Sequence, residues 1–262
     1  MDFKMKKIGQ ISIFMIIGIL LTSTFLLFFV FREKIIEETT LKSEENPESI
    51  LKSCMEDKIK EAIDVISLHG GYVNNKLFKN FKFEGEEAAI NIAYLCYNQN
   101  DYLSCVNQKP MFLQDLKQEI KNYISNKVED CFNEMTKDFN KEGYETNIDY
   151  RDFEVELLPK RVIIHTDSEI TLTKSGETTK QENSKVQVAS RFYEIASVVQ
   201  ELVNQESKFC YSESLGIMIL YPDFIISKFK TGDSDMIYTV KHKDSKEKFR
   251  FAIRGCAIPP GY

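Results

Sequence analysis

Residues 8–31, IGQISIFMIIGILLTSTFLLFFVF, form a run of 24 residues without a charged side chain. In lipid every backbone N–H and C=O must be paired within its own segment, and a helix of roughly 20 apolar residues crosses a hydrocarbon core about 30 Å thick. The run therefore predicts a transmembrane anchor helix over residues 8–31 that is embedded in the lipid bilayer. A cleaved secretory signal is the alternative, but its apolar region has only ~7–15 residues, and no A-x-A-like cleavage site precedes Arg32.

Lysines beside this run predict its orientation. Lys4, Lys6 and Lys7 lie in the basic flank 1–7, whereas the flank after the run mixes basic with acidic residues. Positive charge in short loops stays on the cytoplasmic side. We therefore expect a single-pass protein of the cell membrane with a cytoplasmic N-terminus, a polar stalk over residues 32–46 and an extracytoplasmic C-terminal domain.

The start of the run carries a second pattern. Residues 6–14, KKIGQISIF, place basic residues and a glycine before Gln-x-Ser-x and a long apolar helix. This pattern resembles the class III signal peptide of archaeal type IV pilin-like proteins, which usually carry a glutamate at the position of Phe14. The resemblance covers roughly the first 30 residues and implies cleavage between Gly9 and Gln10, with the helix kept for anchoring or filament assembly.

Composition limits the partners of the outer part. The chain carries 34 basic and 40 acidic residues, and without the flank 1–7 there remain 31 basic and 39 acidic residues, a net charge of −8. Nucleic-acid binding needs a basic face that neutralises phosphates. The charge balance therefore argues against nucleic acid as a partner, and equally against electrostatic docking on anionic lipid.

All six cysteines lie beyond the run, on the side predicted to be oxidising. An even number of cysteines there favours disulfides. Buried free thiols and a metal site are the alternatives, but no two cysteines have the short gap of a zinc knuckle. Fifteen pairings are open to six cysteines, and we hypothesise Cys54–Cys131, Cys96–Cys105 and Cys210–Cys256. The first pair lies on the apolar stripes of two predicted helices, the second is close in sequence, and the third follows by elimination.

Residues 47–143 are predicted to be the helix-rich part of the outer domain. Asn46 and Pro47 form a helix start with a cap and a first-turn proline, and Gly70 and Gly71 predict its end. Short strands are expected over residues 79–83 and 90–97. The longest helix of the outer part is predicted from Pro110 to about residue 140.

Residues 144–262 are predicted to be the strand-rich part, because the apolar period there falls from about 3.6 to 2. Strands are expected over residues 153–157, 161–173, 185–189, 217–230 with a break at Pro222, 236–242 and 248–254. A turn is expected at Ser175 and Gly176 within a polar ribbon or loose loop over 173–184, and Ser190 is expected to cap a third helix. The fold class is therefore α+β, with about three helices on antiparallel sheet held by disulfides.

Residues suited to catalysis or metal binding are few. His69, His165 and His242 have no partner at a recognisable spacing, and each is expected to be satisfied within the fold or to face solvent. Acidic groups at residues 84–87 and 233–235 offer oxygen ligands for calcium, but neither matches the twelve-residue calcium loop, and we expect solvated turns. Templates for hydrolases, metalloproteases, NTPases and dinucleotide-binding enzymes all fail, and no cofactor is expected.

Two classes of function stay open. The first is a membrane-anchored surface protein, pilin-like at its start, whose outer domain binds a protein partner or itself. The second is an extracytoplasmic enzyme or solute-binding domain whose site comes from residues far apart in sequence. The absence of local catalytic motifs and the pilin-like start favour the first class.

Overall fold

The computed structural model describes residues 18, 20–23, 25 and 46–256. Within residues 46–256 the helices are α1 (Pro47–Leu68), α2 (Phe112–Lys141), α3 (Phe192–Phe209) and α4 (Ser214–Leu220). The strands are β1 (Phe78–Phe81), β2 (Ile90–Tyr97), β3 (Val106–Asn107), β4 (Glu145–Leu158), β5 (Arg161–Lys174), β6 (Glu177–Glu182), β7 (Lys185–Ala189), β8 (Phe224–Lys230), β9 (Met236–His242) and β10 (Lys248–Arg254). The chain from Leu51 onward forms one compact unit, and its fold class is α+β.

Most of the predicted anchor lies outside the described residues. Gly18, residues 20–23 and Phe25 are helical, and the Thr22 hydroxyl donates to the Gly18 carbonyl at 3.0 Å. Among the residues that the structure describes, no helix is long and apolar enough to cross a membrane. The cleavage position at Gly9 and Gln10 and the stalk up to residue 45 also fall outside these residues. Anchor, cleavage and stalk therefore stay predictions.

Local sequence signals set the bounds of α1. The Asn46 side chain accepts a hydrogen bond from the Glu48 N–H at 3.1 Å, as an N-terminal cap does. Gly70 and Gly71 have φ values of 75° and 91°, the left-handed conformation that closes helices and that glycine adopts without steric cost. The predicted start and end of this helix are confirmed.

A six-stranded sheet forms the centre of the domain. Its order is β1-β2-β10-β9-β8, with β3 on the other part of β2. The neighbours are antiparallel except β2 and β10, which are parallel. The predicted antiparallel sheet is therefore confirmed except at this one pair. Parallel neighbours require a long crossover, which here is the whole chain between residues 97 and 248.

A second sheet is built around β5. The 14-residue strands β4 and β5 pair along their whole length, and β6 and β7 both pair with β5. Ser175 and Gly176 form the predicted turn, with φ values of 54° and 87°, the positive-φ conformation of tight hairpins. The segment 173–184 is therefore a paired hairpin whose side chains are exposed from Lys174 to Lys180, and the loose-loop alternative is wrong.

The helices pack on these sheets through apolar faces that repeat at helical spacing. The buried face of α2 contacts β4, and α3 packs on β9, β10 and β2. Phe249 of β10 contacts the rings of Phe112 on α2 and Phe192 on α3, at centroid distances of 5.7 Å and 6.3 Å. Apolar core therefore lies between the helices and one face of the central sheet. A smaller buried cluster lies on the other face and consists of Ile92, Tyr94, Ile237 and Ala252.

Three disulfides join the six cysteines. Cys54–Cys131 links α1 to α2 with a Cα–Cα distance of 5.8 Å, and Cys96–Cys105 closes the segment before β3 at 5.2 Å. Cys210–Cys256 links the end of α3 to the residue two positions after β10 at 5.7 Å. These are the pairs hypothesised from the sequence.

The predicted strand over residues 217–230 is wrong in its first part. Residues 214–220 form α4, and the strand begins only at Phe224. The Glu213 carboxylate accepts a hydrogen bond from the Leu215 N–H at 3.2 Å, which satisfies one of the donors that a helix start leaves open. Pro222 follows the helix and cannot continue it. A local cap therefore determines the structure of this short apolar run.

Candidate interaction surfaces

The outer face of the central sheet, opposite the helices, is covered only in part. Residues 83–86 lie over β10, where the Arg250 guanidinium is 3.7 Å from the ring centroid of Phe83. Arg250 also donates to both carboxylate oxygens of Glu86, at 2.6 Å and 3.1 Å. This bidentate pair holds the segment against the sheet. The solvated turn predicted at 84–87 is therefore wrong at Glu86, whereas Glu84 and Glu87 are exposed in a turn as predicted.

Next to this segment the outer face is open and forms a cleft of about 450 Å³, which we call the sheet groove. The Phe81 ring lies 4.8 Å from that of Phe83 and 5.2 Å from that of Phe229. Phe229 is half-exposed although it lies on a strand. The groove is lined by Phe81, Phe83, Glu84, Ser227, Lys228, Phe229, Ile237 and Thr239. Its volume and its apolar, aromatic lining are typical of binding clefts in proteins.

A buried carboxylate, Asp235, lies at one end of the same sheet. It accepts hydrogen bonds from the Tyr94 hydroxyl at 2.7 Å and from Arg254 at 3.0 Å, and Lys79 Nζ lies 2.9 Å away. Burial, and then the bond to Asp235, raises the pKa of Tyr94 above its usual range. The solvated turn predicted at 233–235 is therefore wrong at Asp235, which joins β1, β2 and β10 to the turn after β8.

Asp233, at the same turn, is exposed but also paired. Lys79 donates a short hydrogen bond to its carboxylate, and the Thr231 hydroxyl donates another at 2.5 Å. These two bonds hold the pKa of Asp233 at about 2. The carboxylates of this turn are engaged by cations and hydroxyls of the fold, which indicates a structural role.

A second buried carboxylate, Glu206, belongs to the last turn of α3. It accepts hydrogen bonds from Lys228 at 2.9 Å and from the Ser212 hydroxyl at 3.1 Å, and a shorter one from the Tyr238 hydroxyl. Burial and the neighbouring Glu206 charge raise the pKa of Tyr238 above its usual range. Buried charges are tolerated only when paired and hydrogen-bonded, so this cluster fixes the end of α3 on β8 and β9.

The three histidines lie in different parts of the fold. His69 Nδ1 is 2.7 Å from the carbonyl oxygen of Asn91, and His165 Nε2 is 2.9 Å from the carboxylate of Glu156. His242 is buried, and its Nδ1 accepts from the Ser245 N–H at 3.1 Å. Each has a partner within the fold, and residues 46–256 contain no group of three or more His, Cys, Asp or Glu that could hold a metal.

A polar cleft of about 290 Å³ lies where α1, the start of α3 and the turn between β9 and β10 meet. Glu247 Oε2 accepts from the backbone N–H of Arg191 at 2.6 Å and from the Ser245 hydroxyl at 3.0 Å. Asp64 stays exposed in this cleft, and its partial burial, followed by the charge of Glu247, raises its pKa. The cleft brings together residues far apart in sequence, and Asp64 is its one carboxyl with a raised pKa among the described lining residues.

Exposed aliphatic side chains are concentrated on α4. Leu215, Ile219 and Leu220 are 69%, 80% and 76% exposed, whereas Ile217 on the opposite face is buried. We call these three residues the α4 patch. Exposed aromatic residues lie on both sides of it in sequence, namely Phe209, Tyr211 and Tyr221.

Comparison with known proteins finds no family model, no curated protein and no solved structure that matches the chain. Its function has to be inferred from its own sequence and geometry. The sequence analysis missed both the sheet groove and the α4 patch. One signal for the patch was present: residues 209–222, FCYSESLGIMILYP, contain a single charged residue.

Proposed function

We propose that the protein is a single-pass, membrane-anchored cell-surface protein whose outer domain binds a protein partner, or a second copy of itself, through the sheet groove. The uncharged run of residues 8–31 supports the anchor, and the lysines before it support a cytoplasmic N-terminus. Three disulfides within residues 54–256 favour an oxidising, extracytoplasmic location for the domain.

The observation that carries the binding role is the aromatic lining of the groove. Phe81, Phe83 and Phe229 cluster at its wall, and Phe229 stays half-exposed. Exposed aromatic side chains beside a cleft are costly in water and are enriched where proteins meet. Glu86 beside the groove is paired with Arg250, and the lining itself is mainly apolar and aromatic, so it favours apolar recognition over acid–base chemistry.

Site-specific photo-crosslinking in intact cells tests this role. Phe229 is replaced by the photo-reactive residue p-benzoylphenylalanine, and Phe78, an exposed phenylalanine on β1 that does not line the groove, receives the same substitution as a control. We expect a discrete crosslinked band from position 229 and none from 78, and mass spectrometry of the band separates a homodimer from a heteromeric complex. Equal crosslinking at both positions, or none at 229, contradicts groove binding.

The anchor has its own test. A C-terminal tag should be removed by protease added to intact cells, while the protein itself should stay in the membrane after an alkaline wash. Full protection of the tag contradicts the orientation, and release by the wash contradicts the anchor. The pilin-like start extends the proposal to cleavage between Gly9 and Gln10, which N-terminal sequencing of the mature protein tests: an intact Met1 end would leave an uncleaved signal anchor.

The polar cleft favours the second candidate function, an extracytoplasmic enzyme or solute-binding domain. A carboxyl with a raised pKa in a cleft is a candidate general acid or base. If Asp64 has that role, Asp64→Asn should abolish binding or turnover of a small solute found by screening, while Asp57→Asn, at an exposed position of the same helix that does not line the cleft, should not. Equal behaviour of the two variants would leave the interaction role as the better account.

A further inference from the structure

The α4 patch is separate from the sheet groove, and the residues around it are almost uncharged. Glu213 is the one charged residue between positions 209 and 222. Its carboxylate accepts from the Tyr211 hydroxyl at 2.8 Å and from the Leu215 N–H at 3.2 Å. The Glu213 carboxylate is therefore hydrogen-bonded to residues of its own segment, and the three aliphatic side chains of the α4 patch project into solvent.

The position of α4 is fixed by contacts on its other face. Ile217 is buried, and the Met218 sulfur accepts a hydrogen bond from the Ile226 N–H at 3.3 Å. β8 is an edge strand of the central sheet, and this bond pairs one of the backbone N–H groups that the edge would otherwise leave open. The α4 patch is thus the outward side of a helix that is held in place, and its exposure does not result from a loose segment.

The size and shape of the α4 patch argue against a second protein as its occupant. A stable protein interface takes about 800 Å² from each partner and roughly 20–30 residues a side. The patch offers three aliphatic residues with aromatic residues beside them in sequence, and exposures of 69–80% mean that the side chains project rather than line a concave surface. Side chains that project in this way are covered more completely by a fluid apolar phase than by a protein surface of fixed shape.

The chain itself brings such a medium close, an argument that rests on the proposed membrane anchor. Only residues 32–46 separate the apolar run from α1. Fifteen residues span at most about 50 Å, at roughly 3.3–3.6 Å per residue. The bilayer that holds the anchor is therefore within reach of the domain at all times, which gives it a high effective concentration.

We propose that α4 docks on this bilayer, with Leu215, Ile219 and Leu220 entering the boundary between headgroups and acyl chains. Tyrosines such as Tyr211 and Tyr221 favour this boundary because their rings are apolar and their hydroxyls are polar. Lys208 lies over the Phe209 ring, with Nζ 5.0 Å from its centroid, and can keep its charge in the headgroup layer. The outer part of the chain has a net charge of −8, so docking depends on apolar contact and not on anionic lipid.

The chain contains no tryptophan, so a single introduced tryptophan reports its own surroundings without background. Full-length Leu220→Trp is reconstituted into phosphatidylcholine vesicles with and without brominated acyl chains. We expect the tryptophan emission to be blue-shifted, and its intensity to fall about twofold or more in brominated vesicles. The reason is that interfacial helices bury their apolar face about 5–10 Å deep, where the bromine atoms quench the fluorescence. The effect should persist at high salt. Met111→Trp, at an exposed apolar residue outside α4, is the matched control and should show neither change.

Each other outcome has a distinct meaning. Unquenched emission from Leu220→Trp overturns the proposal, as does equal quenching of the control. A blue shift that grows with the ratio of protein to lipid, without quenching by bromine, would mean that the α4 patch contacts a second copy of the chain. This outcome also overturns the proposal. Adding Ile219→Asp to Leu220→Trp should abolish the quenching. Vesicle flotation after an alkaline wash measures the anchor independently, so a failed anchor is distinguished from a failed α4 contact.

Discussion

Loss of the bond between Cys54 and Cys131 should lower the stability of the domain more than loss of the Cys96–Cys105 bond. The two bonds close sequence separations of 77 and 9 residues. On the chain-entropy model these loops correspond to about 4.5 and about 2.6 kcal/mol of unfolding free energy at 25 °C. The predicted difference between the two double variants is therefore about 2 kcal/mol.

Alanine is the suitable replacement, because Cys131 is buried on the apolar face of α2 and a serine hydroxyl there would lack a partner. The variants C54A/C131A and C96A/C105A are unfolded with guanidinium as full-length chains in detergent micelles, with far-UV circular dichroism as the readout. Thiol titration checks that the two remaining disulfides stay formed. If C54A/C131A loses no more stability than C96A/C105A, loop length does not govern these bonds and the reasoning is refuted.

Three further predictions concern the backbone and the ion-paired turn that contains Asp233 and Asp235. Gly70 and Gly143 both have positive φ, so the backbone strain of an alanine is matched between the two sites. Because only Gly70 is also crowded, Gly70→Ala should destabilise the fold by about 1–3 kcal/mol more than Gly143→Ala in thermal unfolding. A Cβ at Gly70 would lie 2.9 Å from a side chain and 3.0 Å from strand backbone, whereas the site at Gly143 is open. The lowered pKa of Asp233, about 2, means that its contribution to stability is present above pH ~4 and is lost as pH falls toward 2. Asp233→Asn should flatten this part of the stability profile, and an unchanged acid slope would contradict the assignment. Tyr94→Phe should cost about 1.5–3 kcal/mol in chemical denaturation by removing a hydrogen bond to buried Asp235, and a loss below 0.5 kcal/mol would show that the bond is dispensable.

Local signals in the sequence predicted much of the fold. Asn46 and Pro47 start α1, glycines end it, and the change of apolar period locates the long strands of the second sheet. Such signals depend on neighbouring residues alone, because caps and turns are satisfied within one turn of the chain. The three long helices α1, α2 and α3 and the hairpin at Ser175 could therefore be assigned without knowledge of the tertiary structure.

The sheet groove could not be predicted in this way. Phe81 and Phe229 are separated by 148 positions, and they meet only because β2 and β10 are parallel neighbours. The order of strands in a sheet depends on which long-range pairing buries the most apolar surface, and periodicity within a strand does not encode it. The partners of Asp235 could not be predicted for the same reason, because they come from three different strands. Sites dispersed over a sheet face are for this reason invisible to motif analysis.

The incorrect strand over residues 217–220 bears directly on function. As a strand, Ile217–Leu220 would have placed alternate side chains in the core. As part of a helix the segment buries Ile217 and leaves Ile219 and Leu220 largely in water. Each such side chain forgoes about 1.5–3 kcal/mol that burial would provide, a loss that the isolated domain does not recover by any contact among its described residues. Places where a sequence contradicts its own local optimum are expected to be functional. The failed prediction and the proposed lipid contact are thus two consequences of one feature, an apolar helix that is capped and held in place at the surface.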